Sequence, residues 1–256
     1  MTNLYWDTIG TGKINIVFLN GWGISSKIWF FIIKKLKYDF KFYLIDLPGS
    51  GKNNTLMPEK IDKIMKILYK IIPQNAILIG WSIGGLIVNY FALCYPKHSL
   101  ALINVASSPC FIEKKNWPGI KKNVINRFYF YLKTKYYKTI NNFLNIEQIT
   151  SKQSTEDISI LKIILSSEPQ PNLELLNNNL EMIFSFDLRE DIMCLKMPIL
   201  RIYGELDNLI PKKIAYILDK KWPSTHSIII KKSAHAPFIT HKNQFCSILL
   251  NFTKSL

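Results

Sequence analysis

Short apolar runs alternate with amphipathic segments along most of the chain. The apolar runs predict buried strands at 14–19, 42–45, 76–79, 100–105, 199–203 and 227–230. Between Lys60 and Ile72 apolar positions recur every three or four residues with lysines on the opposite side, which predicts an amphipathic helix. Further helices are predicted over Ile83–Tyr95 and around 245–252, and Gly10-Thr11-Gly12 is typical of a hairpin turn. A repeated strand-then-helix order predicts an α/β fold with a mostly parallel sheet and helices on both faces.

The periodicity changes in the middle of the chain. Residues 112–186 contain no convincing buried strand, are rich in lysine, asparagine and aromatic residues, and fit helical spacing better. We therefore predict a helical cap at 112–186, inserted between two parts of a sheet-and-helix core at 1–111 and 187–256.

Composition narrows the class of protein. A chain of 256 residues, 48% of them hydrophobic, can bury a core without disulfides or a structural metal. The four cysteines lie far apart with no C-x-x-C pair, so we expect no metal site and reduced thiols. The first twenty residues lack the order of an export signal, so we expect a cytoplasmic protein. We also expect a monomer. The net charge of +15 comes almost entirely from lysine without a nucleic-acid recognition motif, so no nucleic-acid partner is expected.

One uncharged stretch raises the question of a membrane helix. No charged residue occurs from Ile71 to Pro96, and Gly80 and Gly84 stand in G-x-x-x-G spacing. Proline, glutamine, asparagine and serine interrupt the stretch, and it divides into a short strand and a helix ended by Pro96. We therefore predict a buried strand that enters a buried helix through a glycine turn, and no membrane partner.

That turn carries the strongest chemical signal, Gly80-Trp81-Ser82-Ile83-Gly84. In a G-x-S-x-G between a strand and a helix, the serine occupies a strained turn that presents its hydroxyl at the carboxyl edge of the sheet. The five-residue pattern alone is weak, because serines between glycines are common in loops. Its position between a predicted strand and a predicted helix makes Ser82 a candidate nucleophile.

A serine nucleophile needs a base and a carboxylate that orients the base. His235 follows the last predicted strand, whereas His98, His226 and His241 are most simply solvated surface residues. Asp207 follows the strand before it, although it could instead be a turn residue ahead of Pro211. The other carboxylates considered fit less well. Glu205 lies two residues nearer the strand than Asp207, Asp187 and Asp191 precede that strand, and Asp46 is upstream of the serine. Ser82, Asp207 and His235 are therefore the predicted catalytic residues.

Acyl transfer also needs hydrogen-bond donors for the oxyanion. The backbone N–H of Ile83 lies at a helix start, where the helix dipole favours negative charge. A second donor is expected in the glycine-flanked turn Asn20-Gly21-Trp22-Gly23, and we assign it to the backbone N–H of Trp22. The Trp22 side chain could instead be a core or rim aromatic.

Several stretches resemble the biotin-pathway carboxylesterase (BioH) family of the α/β-hydrolase superfamily, nearly end to end. They are 20–23, 46–51, 80–85, 105–111, 117–120 and 235–238, and those at 105–111 and 117–120 are far more specific to the family than the serine motif. The resemblance implies an α/β-hydrolase fold, no cofactor, and hydrolysis of the methyl ester of pimeloyl-[acyl-carrier protein] methyl ester. It makes Ser82, Asp207 and His235 the triad. It also implies substrate contacts with residues of the core and, at Phe143 and Leu144, of the cap: Trp22, Ser82, Ile83, Phe143, Leu144 and His235.

The resemblance also implies an acidic acyl-carrier protein as partner. From Lys114 to Lys138 there are eight basic residues and no acidic one. We expect carrier docking at Lys121, Lys122, Arg127 and Lys138, although a solvated helix face on a lysine-rich chain would look the same. The family usually has a histidine where Asn20 stands, and arginines at some cap positions where this chain has Lys138 or Asn142.

Other functions remain open. The same triad serves broad short-chain carboxylesterases and carbon–carbon bond hydrolases, and a catalytically silent binding module could keep the same fold. Haloalkane dehalogenases and epoxide hydrolases are disfavoured, because their chemistry places an aspartate at the position of Ser82.

Overall fold

The computed structural model describes residues 4–56, 60–121, 123–127 and 185–256, with a few further positions between 130 and 180. Seven strands form one sheet in the order β1-β3-β2-β4-β5-β6-β7. Their bounds are β1 Trp6–Ile9, β2 Ile14–Leu19, β3 Phe40–Ile45, β4 Ala76–Trp81, β5 Ser99–Val105, β6 Ile199–Gly204 and β7 His226–Ile230. Only β1 is antiparallel to its neighbour, and the other adjacent strands are parallel. The predicted mostly parallel sheet is confirmed.

Helices cover both faces of this sheet, as predicted. Within the described residues they are α1 Phe30–Leu36, α2 Ile61–Ile71, α3 Ile83–Cys94, α4 Lys213–Lys221, α5 Pro237–Thr240 and α6 Lys242–Lys254. Short 3-10 helices span Ser26–Trp29, Gly51–Asn53 and Asp191–Cys194. One apolar core lies beneath α2, α3 and α4, and a second lies beneath α1, α5 and α6. The sheet therefore separates two cores and is buried on both sides.

The glycine-rich turn before β2 does not make a hairpin. β1 pairs with β3 instead of β2, so the chain must cross the start of β3 to reach its place in the sheet. Gly12 permits the crossing, because a Cβ there would lie 2.1 Å from the carbonyl oxygen of Asp39. The expected hairpin is thus wrong, and the glycines serve a close approach of two backbones.

The uncharged stretch divides as predicted, into β4 and α3. In the part of the chain that the structure describes, no helix has the length and apolar character to cross a membrane.

His98 corrects another expectation, because it is buried and not solvated. Its Nε2 lies 2.7 Å from the carbonyl oxygen of Ile72, and its ring packs between those of Tyr69 and Phe91. The imidazole thus closes the end of α2 against α3, a contact between segments that are far apart in sequence.

The predicted cap lies mostly outside the described residues. At its start, Ile112 bridges to Ile120 and Lys114 bridges to Trp117, and residues 123–127 are helical. β5 ends at Val105, and the adjacent strand β6 begins at Ile199. The chain therefore leaves the sheet between these two strands.

Trp29 should be a main determinant of stability. Its ring is fully buried and stacks between Phe18 and Phe238, with centroid distances of 4.2 and 4.1 Å. We expect Trp29→Ala to lower the free energy of unfolding by about 3–5 kcal/mol, measured by urea denaturation. Tyr38→Ala, at a site that is 74% exposed, should change it by roughly 0.5 kcal/mol or less. Equal effects of the two substitutions would contradict this assignment.

Candidate active site

Ser82 occupies a strained turn at the carboxyl edge of the sheet, between β4 and α3. Its φ of 55° and ψ of −123° cost about 1–3 kcal/mol in a residue other than glycine, so neighbouring contacts must hold it. The Ser82 N–H donates to the carbonyl of Val105 at 2.9 Å, and the hydroxyl of Ser107 donates to the carbonyl of Ser82 at 2.6 Å. β5 and the loop after it therefore fix the turn.

The glycines of the motif are needed because backbones pass very close together here. A Cβ on Gly80 would lie 2.3 Å from the carbonyl oxygen of Gly84. A Cβ on Gly84 would lie 2.3 Å from the carbonyl oxygen of Leu19, at the end of β2. Any side chain at either position would push α3 away from the sheet and relax the turn at Ser82.

His235 and Asp207 are brought together in a buried pair at the same edge. The Nδ1 of His235 lies 2.8 Å from Oδ2 of Asp207, and each residue is about 5% exposed or less. The other carboxylate oxygen, Oδ1, accepts the N–H groups of Leu209 and Ile210 at 2.8 and 2.9 Å. An ionised carboxylate only accepts, so Nδ1 carries the proton and Nε2 is left as the basic nitrogen. Asp207 is therefore both a turn residue and the partner of the histidine.

Trp81 joins the histidine loop to the serine turn. Its indole N–H donates to the carbonyl of His235 at 2.8 Å, and the two ring centroids are 5.5 Å apart. Because Trp81 directly precedes Ser82, this bond places the His235 loop beside the turn. The same indole lies against Gly21, where a Cβ would be 2.7 Å from its ring atoms. One buried side chain thus contacts the predicted oxyanion loop and the predicted base.

The predicted oxyanion donors lie on these elements. Ile83 is the first residue of α3, where backbone N–H groups have no partner in a preceding turn. Trp22 follows β2, and its indole N–H donates to the carbonyl of Leu176 at 2.8 Å. This hydrogen bond connects the loop to the segment predicted as the cap, and the Trp22 side chain is half-buried.

The remaining predicted site residues divide into two groups. Lys121 and Arg127 are described and exposed. Phe143, Leu144, Lys122 and Lys138 lie outside the described residues. Their predicted roles in binding the acyl chain and the carrier protein therefore remain predictions.

Comparison with known proteins agrees with this architecture. The sequence profile of the alpha/beta hydrolase fold matches residues 14–242. The chain belongs to the α/β-hydrolase family. It is also 38% identical, over 256 residues and the full length of both chains, to proteins named pimeloyl-[acyl-carrier protein] methyl ester esterase from Salmonella paratyphi A and Salmonella typhi. At this identity and coverage the chain belongs to the family of those proteins, which confirms the resemblance.

Solved α/β-hydrolase structures show the same fold at lower sequence identity. An esterase from Exiguobacterium antarcticum matches with a TM-score of 0.86 and 18% identity, over 98% of this chain and 95% of the other. A hydrolase from Oleispira antarctica matches with a TM-score of 0.83 and 16% identity, over 99% and 96%. These likenesses concern the fold alone.

Two of the other carboxylates considered above, Glu205 and Asp187, are engaged elsewhere. Glu205 accepts the Lys232 N–H at 3.1 Å and pairs with Lys212 at 3.3 Å, and the bond from Lys232 is the main cause that lowers its pKa. Asp187 pairs with Arg189 at 2.7 Å, and hydrogen bonding from this guanidinium lowers the pKa of the carboxyl. Both contacts leave Asp207 as the carboxylate that faces His235.

Asp46 has a role that sequence reasoning did not assign. Its Oδ1 accepts the Ser26 N–H at 2.6 Å, and its Oδ2 accepts the Lys52 N–H at 3.1 Å. Asn20 lies beside it, 3.4 Å from the same Oδ1, and accepts the Trp29 indole N–H at 2.9 Å. Asn20 therefore anchors the predicted oxyanion loop. The sequence places Asp46 directly after a predicted strand, but only the structure shows that this strand, β3, lies beside β2.

Trp81→Phe tests whether the indole N–H positions His235. Phenylalanine keeps the apolar ring but leaves the His235 carbonyl without its buried donor. The hydrogen bond that is lost contributes about 1 kcal/mol of free energy to holding the His235 loop in place. We expect kcat for ester hydrolysis to fall roughly fivefold to tenfold with little change in KM, measured by steady-state kinetics. Trp6→Phe, at an exposed site on β1, is the matched control and should leave kcat unchanged. An unchanged kcat in Trp81→Phe would contradict the positioning role.

Proposed function

We propose that this protein is a serine carboxylesterase that hydrolyses the methyl ester of pimeloyl-[acyl-carrier protein] methyl ester, releasing methanol and pimeloyl-[acyl-carrier protein] for biotin synthesis. The observation that carries the catalytic part is the buried bond between His235 Nδ1 and Asp207 Oδ2, 2.8 Å long, at the sheet edge where Ser82 is held. The substrate is taken from the relatives of that name, which align over the full length of this chain.

In the proposed mechanism, Nε2 of His235 takes the proton from the Ser82 hydroxyl as its oxygen attacks the ester carbonyl. Asp207 keeps the imidazole oriented and stabilises its charged form. The imidazolium then gives the proton to the departing methoxy oxygen, so methanol leaves and an acyl-serine remains. Water, deprotonated by His235, attacks this ester, and the proton returns to Ser82 as the acid is released. The cycle needs no metal or organic cofactor.

The backbone N–H groups of Trp22 and Ile83 are the proposed oxyanion donors. Both residues adjoin Ser82, one through α3 and the other through the contact of Gly21 with Trp81. Donors fixed before the reaction stabilise the developing charge without reorganisation, and one such donor contributes about 3 kcal/mol to the transition state.

The acyl chain is proposed to lie under a helical cap formed by 112–186. The bond from the Trp22 indole to Leu176 supports this, because it ties part of that segment to the oxyanion loop. Phe143 and Leu144 are the proposed acyl contacts within the cap. The core then consists of 1–111 and 187–256.

The carrier protein is proposed as the partner, guided by the basic run in the cap at Lys121, Lys122, Arg127 and Lys138. Positive charge near the site speeds encounter with an acidic protein. Every group in the proposed mechanism comes from one chain, so a monomer is sufficient, and we propose that it acts in the cytoplasm.

Ser82→Ala and Asp207→Asn test the catalytic roles. We expect Ser82→Ala to lower kcat by roughly 10⁴-fold or more, because no nucleophile remains. Asp207→Asn should lower kcat by roughly 10⁴-fold through loss of the histidine orientation. A fluorophosphonate probe should label the original protein and not Ser82→Ala, with folding of both checked by circular dichroism. Full esterase activity in Ser82→Ala would contradict the proposal, and failure to label the original protein would favour a silent binding module.

The substrate is tested by comparing kcat/KM on the carrier-linked pimeloyl methyl ester, the free pimeloyl methyl ester and short-chain esters. We expect the carrier-linked ester to be preferred, and expression of this chain to restore biotin synthesis in cells that lack their own methyl esterase. Equal rates on free and linked esters would indicate a broad carboxylesterase. Activity only on a substrate that is cleaved at a carbon–carbon bond would indicate a carbon–carbon bond hydrolase.

A further inference from the structure

A small polar cavity lies between α3, β5, β6 and α4. Its volume is about 10 Å³, close to the roughly 10–15 Å³ that one buried water molecule needs. Its wall includes Asn104 and Arg201 from two adjacent strands, and Trp222 directly after α4. None of the three proposed catalytic residues, all of which the structure describes, lines this cavity. It is therefore separate from the candidate active site.

Arg201 brings a buried charge to the cavity, and only part of its guanidinium is engaged. Its Nη2 donates to Oδ1 of Asp219 at 2.8 Å and to the Thr225 hydroxyl at 2.7 Å. Tyr203 lies beside the guanidinium, and burial raises the pKa of this phenol to about 12, so it stays neutral. Within the described residues, the N–H groups at Nε and Nη1 meet no acceptor in hydrogen-bonding geometry. Buried donors nearly always have an acceptor, so these two are expected to find one in the cavity.

Asn104 supplies an acceptor on the neighbouring strand. It stands directly opposite Arg201 in the register of β5 and β6, so both side chains project from the same face of the sheet. Its Nδ2 donates to Oδ1 of Asn89 on α3 at 2.9 Å. In the part of the chain that the structure describes, neither Oδ1 of Asn104 nor the indole N–H of Trp222 has a partner, and both residues are 5% exposed or less. Buried donors and a buried acceptor thus border one cavity without reaching each other.

We infer that the cavity is a binding site for one water molecule, which joins Arg201 to Asn104. The water accepts N–H groups from Arg201 and Trp222 and donates to Oδ1 of Asn104, which gives it the three hydrogen bonds typical of buried water. A halide or another simple anion fits less well, because it cannot donate to Oδ1. The charge of Arg201 is, moreover, already paired with Asp219.

The water site lies directly behind the turn that holds Ser82. A Cβ on Gly85, in the first turn of α3, would lie 3.0 Å from Oδ1 of Asn104 and 2.4 Å from Oγ of Ser107. The Ser107 hydroxyl in turn donates to the carbonyl of Ser82. The start of α3 therefore rests on Asn104 and Ser107, and the water fixes Asn104 from behind. Asn104 and Arg201 are positioning residues for Ser82, a role that rests on the proposed function.

The site itself is tested by a high-resolution crystal structure of the full chain, with anomalous data collected from crystals soaked in sodium bromide. We expect one peak of electron density in the cavity, about 3 Å from Oδ1 of Asn104 and from the nearest guanidinium nitrogen of Arg201, without anomalous signal. An anomalous peak there would overturn the inference in favour of an anion. A cavity without density would overturn it as well.

The positioning role is tested with Asn104→Leu, which keeps the branched shape of the side chain but removes the acceptor for the water. We expect kcat for ester hydrolysis and the rate of fluorophosphonate labelling at Ser82 both to fall about tenfold, with KM unchanged. Asn104→Asp keeps an acceptor at the same place, so it should stay within about twofold of the original protein. Circular dichroism shows whether each variant is folded.

Trp222→Phe removes a donor to the water without touching α3, and it carries the test if Asn104→Leu does not fold. We expect it to slow labelling about threefold, whereas Trp6→Phe, at an exposed site, should not slow it. The double variant should be no slower than Asn104→Leu alone, because both substitutions remove the same water. Additive effects would overturn the inference. An equal loss in Asn89→Leu would overturn it too, because the bond between Asn104 and Asn89 would then explain the result.

These experiments separate this inference from the proposed function. If fluorophosphonate does not label the original protein, the proposed function fails, and the crystal structure still decides whether the cavity binds water. If the original protein is labelled and Asn104→Leu is labelled equally fast, only the positioning role of the water site fails.

Discussion

The close approach of β2, β4 and α3 is the constraint on which the candidate site depends. With only hydrogen at Gly80 and Gly84, the start of α3 presses against the ends of both strands, and Ser82 is held in a backbone conformation that it would not adopt alone. Hydrogen bonds to β5 prevent the turn from relaxing. The strain is thus held between buried segments of the protein, and their contacts stabilise it.

The other loops of the site are positioned by contacts that extend the sheet beyond its strands. The N–H of Glu205 donates to the carbonyl of Ile230, and that of Leu206 donates to the carbonyl of Ser233. The loops after β6 and β7 are therefore joined where they carry Asp207 and His235. On the other side of the serine, Asn20 and Asp46 join the loops after β2 and β3. Trp81 lies between these two pairs of loops and contacts both.

The charged lysines of the protein and the polar groups of the candidate site lie in different environments. The polar groups of the site are buried and fixed by short hydrogen bonds, whereas none of the lysines that the structure describes is buried. Exposed cations contribute little to folding stability, because water and salt screen them. Exposed lysines act instead on the rate of encounter with charged partners. The surface charge of this α/β hydrolase can therefore vary without disturbing the packing beneath Ser82.

The sequence by itself determined the strands β2 to β7, the helices α2, α3 and α6, and the candidate residues Ser82, Asp207 and His235. Local periodicity and the order of strand, turn and helix are sufficient for this, because parallel strands bring their carboxyl ends to one edge. Only the tertiary structure decided that β1 pairs with β3, that His98 is buried, and that Asp46 and Trp81 hold the loops around the site. Those features depend on which distant segments lie side by side, and the pattern of single positions along a chain does not encode such neighbours.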